Sequence, residues 1–269
     1  MEEISKILKE RMTICQRSEL PCKGEKKMWY EVMNELQGNL PDYDCQECRN
    51  KGVIYFEKDG YEYSRECKCM KIRRSVQRIK KSGMKDILDK YTFDTYNAES
   101  DWQEYVKSKA TAFVKGAKSC LFIGGQVGCG KTHICTAIVG EFIKQGSEAR
   151  YMQWRDDVVK IKQNANSDTY NQLIEPFKKV KVLYIDDLFK VKAGEQPTPA
   201  DVNIAFEILN HRYLNDGFIT IISSEKTGKE LIGVDEAVGS RIVEMSGDYF
   251  INIGHDKKKN YRLKEVINI

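Results

Sequence analysis

Residues 120–132, CLFIGGQVGCGKT, contain the pattern that decides the fold. The first four are apolar and predict a short buried strand, and the last eight match the phosphate-binding loop G-x-x-x-x-G-K-[S/T] without a mismatch. Glycines let such a loop wrap closely, so that successive backbone N–H groups point at phosphates. The apolar periodicity of 133–144 predicts a helix next, whose N-terminal end adds positive charge. Strand, loop and helix in this order favour a nucleotide site over a chance glycine-rich turn.

The loop pattern predicts the roles of several of its residues. We predict that Lys131 reaches the β- and γ-phosphates of ATP and that the Thr132 hydroxyl ligates Mg²⁺. Cys129 is expected to supply only its backbone N–H. The full predicted nucleotide-binding set is Gly125, Gln126, Val127, Gly128, Cys129, Gly130, Lys131, Thr132, His133 and Asp186.

A second apolar run ends in two acids, at 182–187 (VLYIDD). At the carboxyl end of a parallel strand beside the loop, Asp186 would hold Mg²⁺. Asp187 would then polarise the attacking water, although an Asp-rich turn after a strand is the alternative. Many such ATPases carry the longer Glu at this place.

The rest of this region alternates strands and helices, which predicts an α/β fold with a parallel five-stranded sheet. Besides 120–123 and 182–185, strands are predicted at 149–154, 218–222 and 249–253, and the clearest helix at 200–214.

Three side chains after the acid pair have predicted roles at the phosphates. The fourth strand should lie between the first and third, so Ser224 or Glu225 at its end is placed to sense the γ-phosphate, with an ordinary exposed strand end as the alternative. Arg241 is predicted to complete a neighbouring subunit's site, with an ordinary surface arginine as the alternative. The predicted catalytic set is therefore Lys131, Asp187 and Arg241. Arg212 is a weaker candidate for the same role and is expected to be structural.

Four of the nine cysteines form two close pairs, Cys45-x2-Cys48 and Cys67-x-Cys69. Two such pairs around a short insert suit a tetrahedral Zn²⁺ site, with iron–sulfur ligation and free thiols as alternatives. Gly52 allows a tight turn whose N–H groups approach the sulfurs. The insert predicts a hairpin turning at Asp59-Gly60.

These segments predict an N-terminal helical and zinc-binding domain over 1–70, a basic linker over 71–100 and an ATPase domain over 101–269. Two helices are expected within 1–40, the first with Ile4, Leu8, Met12 and Cys15 on one face. The basic stretch that opens the linker either tracks a phosphate backbone or is a solvated connector. Trp154 either stacks on single-stranded bases or is buried.

The composition of the 269 residues excludes several classes of protein. The net charge of +4 is too small to indicate nucleic-acid binding by itself. Apolar runs of 18 residues are absent and the start is charged, so we expect neither a membrane span nor a secretory signal. Nine cysteines in such a chain indicate a reducing compartment, and we expect a cytoplasmic protein.

Together, these motifs resemble the bacterial and phage replicative-helicase loaders of the DnaC/DnaI type. A cysteine-rich region, a Tyr-Thr-Phe-Asp connector at 91–94, the phosphate-binding loop, the Asp-Asp strand and a Ser-Arg-Ile box at 240–242 follow in the family's order. The sequence departs at the fourth strand, where 223–225 reads Ser-Ser-Glu instead of Thr-Ser-Asn.

The resemblance implies an AAA+ ATPase of DNA replication whose N-terminal domain grips a replicative helicase. It also implies ATP and single-stranded DNA binding and self-association through the AAA+ domain. With the motifs above, we expect slow, assembly-linked hydrolysis of ATP to ADP and phosphate, with ATP, Mg²⁺ and Zn²⁺ as cofactors. The alternatives are a transposition-helper ATPase, a small-molecule kinase, and an adaptor that ATP switches with little turnover.

Overall fold

The computed structural model describes residues 27–81, 85–116, 119–192 and 194–263. The predicted first helix, with Ile4, Leu8, Met12 and Cys15, lies outside these residues. Within the described ranges no helix has both the length and the apolar character to cross a membrane.

The described residues form ten α-helices and seven β-strands. In chain order the helices are α1 (Trp29–Glu35), α2 (Cys69–Lys81), α3 (Lys85–Lys90), α4 (Asp101–Gly116), α5 (Lys131–Lys144), α6 (Trp154–Gln163), α7 (Tyr170–Lys179), α8 (Pro199–Leu214), α9 (Gly228–Val234) and α10 (Glu236–Ser246). The strands are β1 (Val53–Lys58), β2 (Tyr61–Glu66), β3 (Cys120–Gly125), β4 (Ala149–Gln153), β5 (Val182–Asp186), β6 (Ile219–Ser224) and β7 (Phe250–Ile253).

Five strands form one parallel sheet in the order β4-β5-β6-β3-β7. The predicted α/β fold with a five-stranded parallel sheet is confirmed, and the fourth strand of the sheet, β6, lies between the first, β3, and the third, β5. Because the strands are parallel, their carboxyl ends share one edge of the sheet. The glycine-rich loop after β3 and the acid pair at the end of β5 are therefore brought together.

Helices cover both faces of this sheet. Alternate side chains of a strand point to opposite faces, so Leu121 and Ile123 pack in the cluster formed with α4 and α5, whereas Phe122 packs in the cluster formed with α6, α7 and α8. Such burial on both faces explains why the strands read as continuous apolar runs.

Local sequence accounts for where the key helices begin and end. Helix α8 has Pro199 at its first turn and a capping box in which Thr198 and Asp201 exchange hydrogen bonds. Helix α5 begins directly after Gly130, whose φ of 85° is left-handed. It ends before Gly146, which also has a left-handed φ, of 89°.

The prediction of a strand over 149–154 was wrong at its last residue. Strand β4 ends at Gln153, and Trp154 is the first residue of α6. Its indole is 1% exposed and packs edge-on to Phe189, with ring centroids 5.4 Å apart. Of the two alternatives for Trp154, burial and stacking on bases, the structure shows burial. The side chain anchors α6 to the core.

The insert between the cysteine pairs is the predicted hairpin. Strands β1 and β2 pair antiparallel in the register Val53 to Glu66 and Lys58 to Tyr61, with the turn at Asp59-Gly60. Both turn residues have positive φ, which suits a two-residue hairpin turn.

Helix α2 joins this hairpin module to the large sheet. Ile72 and Ile79 are buried in the core of the sheet domain. The Ser75 hydroxyl accepts a hydrogen bond from the backbone N–H of Ala149 at 3.1 Å, and Arg78 pairs with Glu148. The stretch predicted as a basic linker therefore opens with a helix that is packed against β4.

Four positively charged side chains of α2, Arg78 among them, have partners within the protein. The Arg73 guanidinium is buried and donates to the carbonyl oxygens of Leu40 and Tyr43 at 2.8 and 2.6 Å. Arg74 forms a two-pronged ion pair with Glu66, and Lys80 pairs with Asp42. Of the two alternatives for this basic stretch, these contacts favour a connector between domains over a surface that tracks a phosphate backbone.

Candidate functional site

A cavity of about 360 Å³ lies at the carboxyl edge of the sheet, within the size range of small-ligand sites. Residues 127–133 form one wall. Asp187, Lys190 and Glu225 form another wall, and side chains from 91–103 and 261–262 line the rest of it. Each of the predicted loop residues from Val127 to His133 lies at this cavity.

The glycine-rich loop has the backbone that its sequence predicts. Gly128 and Gly130 have φ of 78° and 85°, which other residues adopt only with strain. The buried Lys131 ammonium donates to the carbonyl oxygens of Gly125 and Gln126, at 2.8 Å each. It is thus held at the centre of the loop, where a phosphate would offer competing oxygens.

Asp186 lies at the end of β5, buried beside the first turn of α5. Its carboxylate accepts hydrogen bonds from the hydroxyls of Tyr184 at 2.6 Å, Tyr151 at 2.9 Å and Ser223 at 2.5 Å. Burial raises the pKa of both tyrosines, and the nearby carboxylate raises it further, so the phenols keep the protons that they donate.

Asp186 and Thr132 together offer the oxygen ligands that Mg²⁺ prefers. The Thr132 Oγ1 and Asp186 Oδ1 atoms are 3.4 Å apart. These residues fit the predicted magnesium site.

Asp187 begins a tight turn and faces the cavity. Its φ is 56° and that of Phe189 is 60°, left-handed values that are uncommon for residues other than glycine. Such conformations cluster at functional sites. The Asp187 carboxylate is 2.7 Å from the Lys190 ammonium, which also contacts Glu225 at 2.7 Å.

The two serines at the end of β6 do not line the cavity. The Ser224 hydroxyl is buried and donates to the carbonyl oxygen of Leu188 at 2.8 Å. Ser223 is bound to Asp186. Of the two predicted phosphate sensors, only Glu225 reaches the cavity.

His133 contacts the connector that precedes α4. Its ring stacks on Tyr91 with centroids 4.6 Å apart, and its Nε2 atom is 3.0 Å from the carbonyl oxygen of Thr92. Tyr96 packs edge-on to the same ring. Burial lowers the pKa of His133, which favours the neutral imidazole. Tyr91 and Tyr96 also line the cavity, a role that no motif in the sequence indicates.

A segment after β7 crosses the glycine-rich loop, and no motif in the sequence indicates this contact either. The backbone N–H of Tyr261 donates to the carbonyl oxygen of Gly128 at 3.0 Å. The Gln126 side chain bonds both backbone groups of Asp256, at 2.7 Å each. These contacts place Arg262 at the cavity edge. No local pattern predicts a contact between residues 130 positions apart.

Arg241 lies on α10 and is not part of its own chain's cavity wall. Its guanidinium lies over the rings of Phe206 and Tyr213, at 4.8 and 5.5 Å from their centroids. It also donates to the Asn210 Oδ1 atom at 3.1 Å.

The four paired cysteines form one buried cluster. Their Sγ atoms all lie within 4.8 Å of one another. Cys45 and Cys67 are 3.7 Å apart and Cys48 and Cys69 3.5 Å, far beyond the roughly 2.05 Å of a disulfide. A tetrahedron with Zn–S bonds of about 2.3 Å has sulfurs roughly 3.8 Å apart, so the cluster fits the predicted metal.

The surroundings of the Cys48 thiol favour its ionised form, whereas burial raises the pKa of the Cys67 and Cys69 thiols. The Gly52 N–H donates to the Cys48 Sγ atom at 3.3 Å, as the predicted tight turn requires. Burial opposes ionisation, but this N–H and the neighbouring thiols outweigh it and lower the pKa of Cys48 to about 7. A thiolate is the form that binds metal.

Comparison with known proteins identifies the family of this chain. The model of the family described as IstB-like ATP binding protein matches residues 59–237. A protein of Bacillus subtilis (strain 168), YqaM, is 34% identical over 216 residues, which cover 75% of this chain and 67% of that protein. The phage-like element PBSX protein XkdC of the same organism is 30% identical over 238 residues, covering 83% and 88%.

Solved structures share the fold. The crystal structure of the DnaC helicase loader superposes with a TM-score of 0.53 at 22% identity, covering 59% of this chain and 94% of that one. The replication initiator DnaA bound to AMPPCP and single-stranded DNA gives a TM-score of 0.52 at 25% identity, covering 66% of this chain but only 55% of DnaA. The chain belongs to the IstB-like ATP binding proteins, with a P-loop ATPase domain of the AAA+ type.

Proposed function

We propose that this protein is an ATP-dependent DNA replication factor that binds a replicative helicase and loads it onto single-stranded DNA. The observation that carries the proposal is the packed connection between the nucleotide site and the cysteine module. A nucleotide site on an AAA+ sheet is connected, through the packed helix α2, to a cysteine module that offers a separate surface. The fold shared with the DnaC helicase loader, and with a DnaA that binds single-stranded DNA, supports it.

The chain's own residues suit ATP hydrolysis. Backbone N–H groups of the loop and the Lys131 ammonium would hold the phosphates, and Thr132 and Asp186 would hold Mg²⁺. A bound Mg²⁺ supplies positive charge to the β- and γ-phosphates. Asp187 faces the cavity, where its carboxylate would orient the attacking water and accept its proton.

We also place Arg241 in a neighbouring subunit's site, as the cation that stabilises the transferring phosphoryl group. Its position outside its own cavity supports this role. Zinc held by the four cysteines would stabilise the module, because the hairpin is too small to fold on a core of its own.

The test is ATP hydrolysis by the purified protein with and without single-stranded DNA. We expect stimulation by the single strand and a loss of turnover by about 10²–10³ in Lys131→Ala, because the phosphates lose their central cation. Lys144→Ala, an exposed lysine on the same helix α5, should change nothing. Hydrolysis that is indifferent to any DNA would instead favour a nucleotide switch or a kinase. Stimulation by duplex DNA alone would favour the transposition helper.

A further inference from the structure

We propose that Lys190 binds the terminal phosphate of the nucleoside triphosphate and so sets the preference of the site for ATP over ADP. This inference rests on the nucleotide binding proposed above. It assigns the γ-phosphate contact to a residue on the turn after β5 and not to the end of β6.

The end of β6 has no free polar hydroxyl for this task. The Ser223 hydroxyl donates to Asp186, and that of Ser224 donates to the carbonyl oxygen of Leu188. Both serines have a relative exposure of 0%. Glu225 does reach the cavity, but its negative charge would repel a phosphate unless a cation lies between them.

Lys190 provides that cation. Its ammonium is 2.7 Å from the carboxylates of both Asp187 and Glu225, and all three residues line the same cavity as Lys131 and Thr132. Burial opposes the charge of Lys190, but the two hydrogen-bonded carboxylates outweigh it and raise its pKa. An ammonium has three N–H donors, and these two carboxylates account for two of them.

The turn that carries Lys190 is fixed from several sides. The Leu188 N–H donates to the carbonyl oxygen of Ser223 at 2.9 Å, and the Lys190 N–H donates to that of Asp187 at 2.9 Å. Phe189 is buried against Trp154. The strained backbone at Asp187 and Phe189 therefore holds the base of the lysine side chain at the cavity wall.

Charge explains why this lysine would distinguish the two nucleotides. A triphosphate held by Lys131 and Thr132 would extend its last phosphate toward the carboxylates of Asp187 and Glu225, which line the same cavity. Lys190 lies between them, and a charge-assisted hydrogen bond to the γ-phosphate would offset that repulsion. ADP has no phosphate at this position, so its affinity should not depend on Lys190.

The test compares the affinities of AMPPCP and ADP, measured by calorimetry in the presence of Mg²⁺. Lys190→Met should weaken AMPPCP binding by about tenfold or more and leave ADP binding within about twofold. Lys190→Arg should keep most of the preference. Lys192→Met, which removes an exposed lysine from the same loop, should behave as the wild type.

Two results would overturn the inference. An equal change of the AMPPCP and ADP affinities in Lys190→Met, or no change in either, would show that the lysine has no contact with the γ-phosphate. A full loss of preference in Glu225→Gln, which keeps the lysine, would assign the effect to the ion pair instead. Failure of the proposed nucleotide site is distinguishable, because the wild-type protein would then bind neither nucleotide.

Discussion

At the scale of single residues, the phosphate-binding loop could be predicted from the sequence because its chemistry depends on neighbours in the chain. Lys131, Thr132 and the glycines lie within one loop, so their spacing alone fixes where their donors point. Lys190 was not predicted, although it lies three residues after Asp187, a spacing at which charges pair on a turn or helix. Its contact with Glu225 depends on the strand order of the sheet, which a local pattern does not show.

Arg212 illustrates a residue whose structural role was predicted and is confirmed. Its side chain is 1% exposed and donates to the carbonyl oxygens of Val180 and Ile219, at 2.8 Å each, and to the Thr220 hydroxyl at 2.8 Å. It fastens the end of α7 to β6. Its charge is satisfied by backbone oxygens inside the protein.

We predict that Arg212→Met lowers the free energy of unfolding by about 3 kcal/mol or more. The reason is that each buried carbonyl left without a donor costs roughly 1–3 kcal/mol. Urea unfolding followed by circular dichroism measures the change. Arg155→Met, on the exposed side of α6, should stay within about 0.5 kcal/mol of the wild type. Equal stability of the two variants would contradict the role given to Arg212.

At the scale of elements, the strands were predicted well because buried parallel strands are continuous apolar runs bounded by polar residues. The boundary after β4 was wrong, since Trp154 continues the apolar run while its backbone is already helical. The docking of α2 was not predicted either. A run of basic residues is typical of a solvated helix face, but Arg73 and Arg78 have partners on distant segments.

The cysteine module gives a prediction about metal content. We expect about one zinc ion per chain by elemental analysis, and far less in Cys48→Ser, because three thiolates and a hydroxyl bind zinc more weakly than four thiolates. Cys120→Ala removes a thiol buried in the large sheet and should leave the zinc in place.

The same experiment separates the alternatives for this cluster. Bound iron with visible absorbance would indicate an iron–sulfur site. A wild-type protein without any metal would leave four free thiols and contradict the zinc assignment.

At the scale of the whole molecule, the α/β class followed from the alternation of strands and helices, and the cavity from the shared carboxyl edge of parallel strands. The part of the cavity formed by Tyr91, Tyr96 and Tyr261 could not be predicted, because Tyr91 and Tyr96 precede the predicted ATPase domain and Tyr261 comes after its last strand. Assembly with neighbouring copies depends on contacts between chains, and mixing two variants tests it.

We predict that Arg241→Ala and Asp187→Asn each lose ATP hydrolysis by about tenfold or more, and that mixing the two variants restores part of it. In a mixed assembly the Arg241→Ala subunit keeps an intact Asp187, and its Asp187→Asn neighbour supplies the missing arginine. Steady-state phosphate release over a series of mixing ratios measures this. Activity that never exceeds the sum of the separate variants would contradict a role in trans.

The most direct test of the central claim is helicase loading onto circular single-stranded DNA. The replicative helicase of Bacillus subtilis, the organism of two relatives, is a suitable probe, with loading scored by unwinding of an annealed strand. We expect ATP-dependent unwinding with the wild-type protein and with Lys144→Ala, and none above the helicase alone with Lys131→Ala. Equal loading by Lys131→Ala, or a wild-type protein that neither binds nor loads the helicase, would contradict the proposed function.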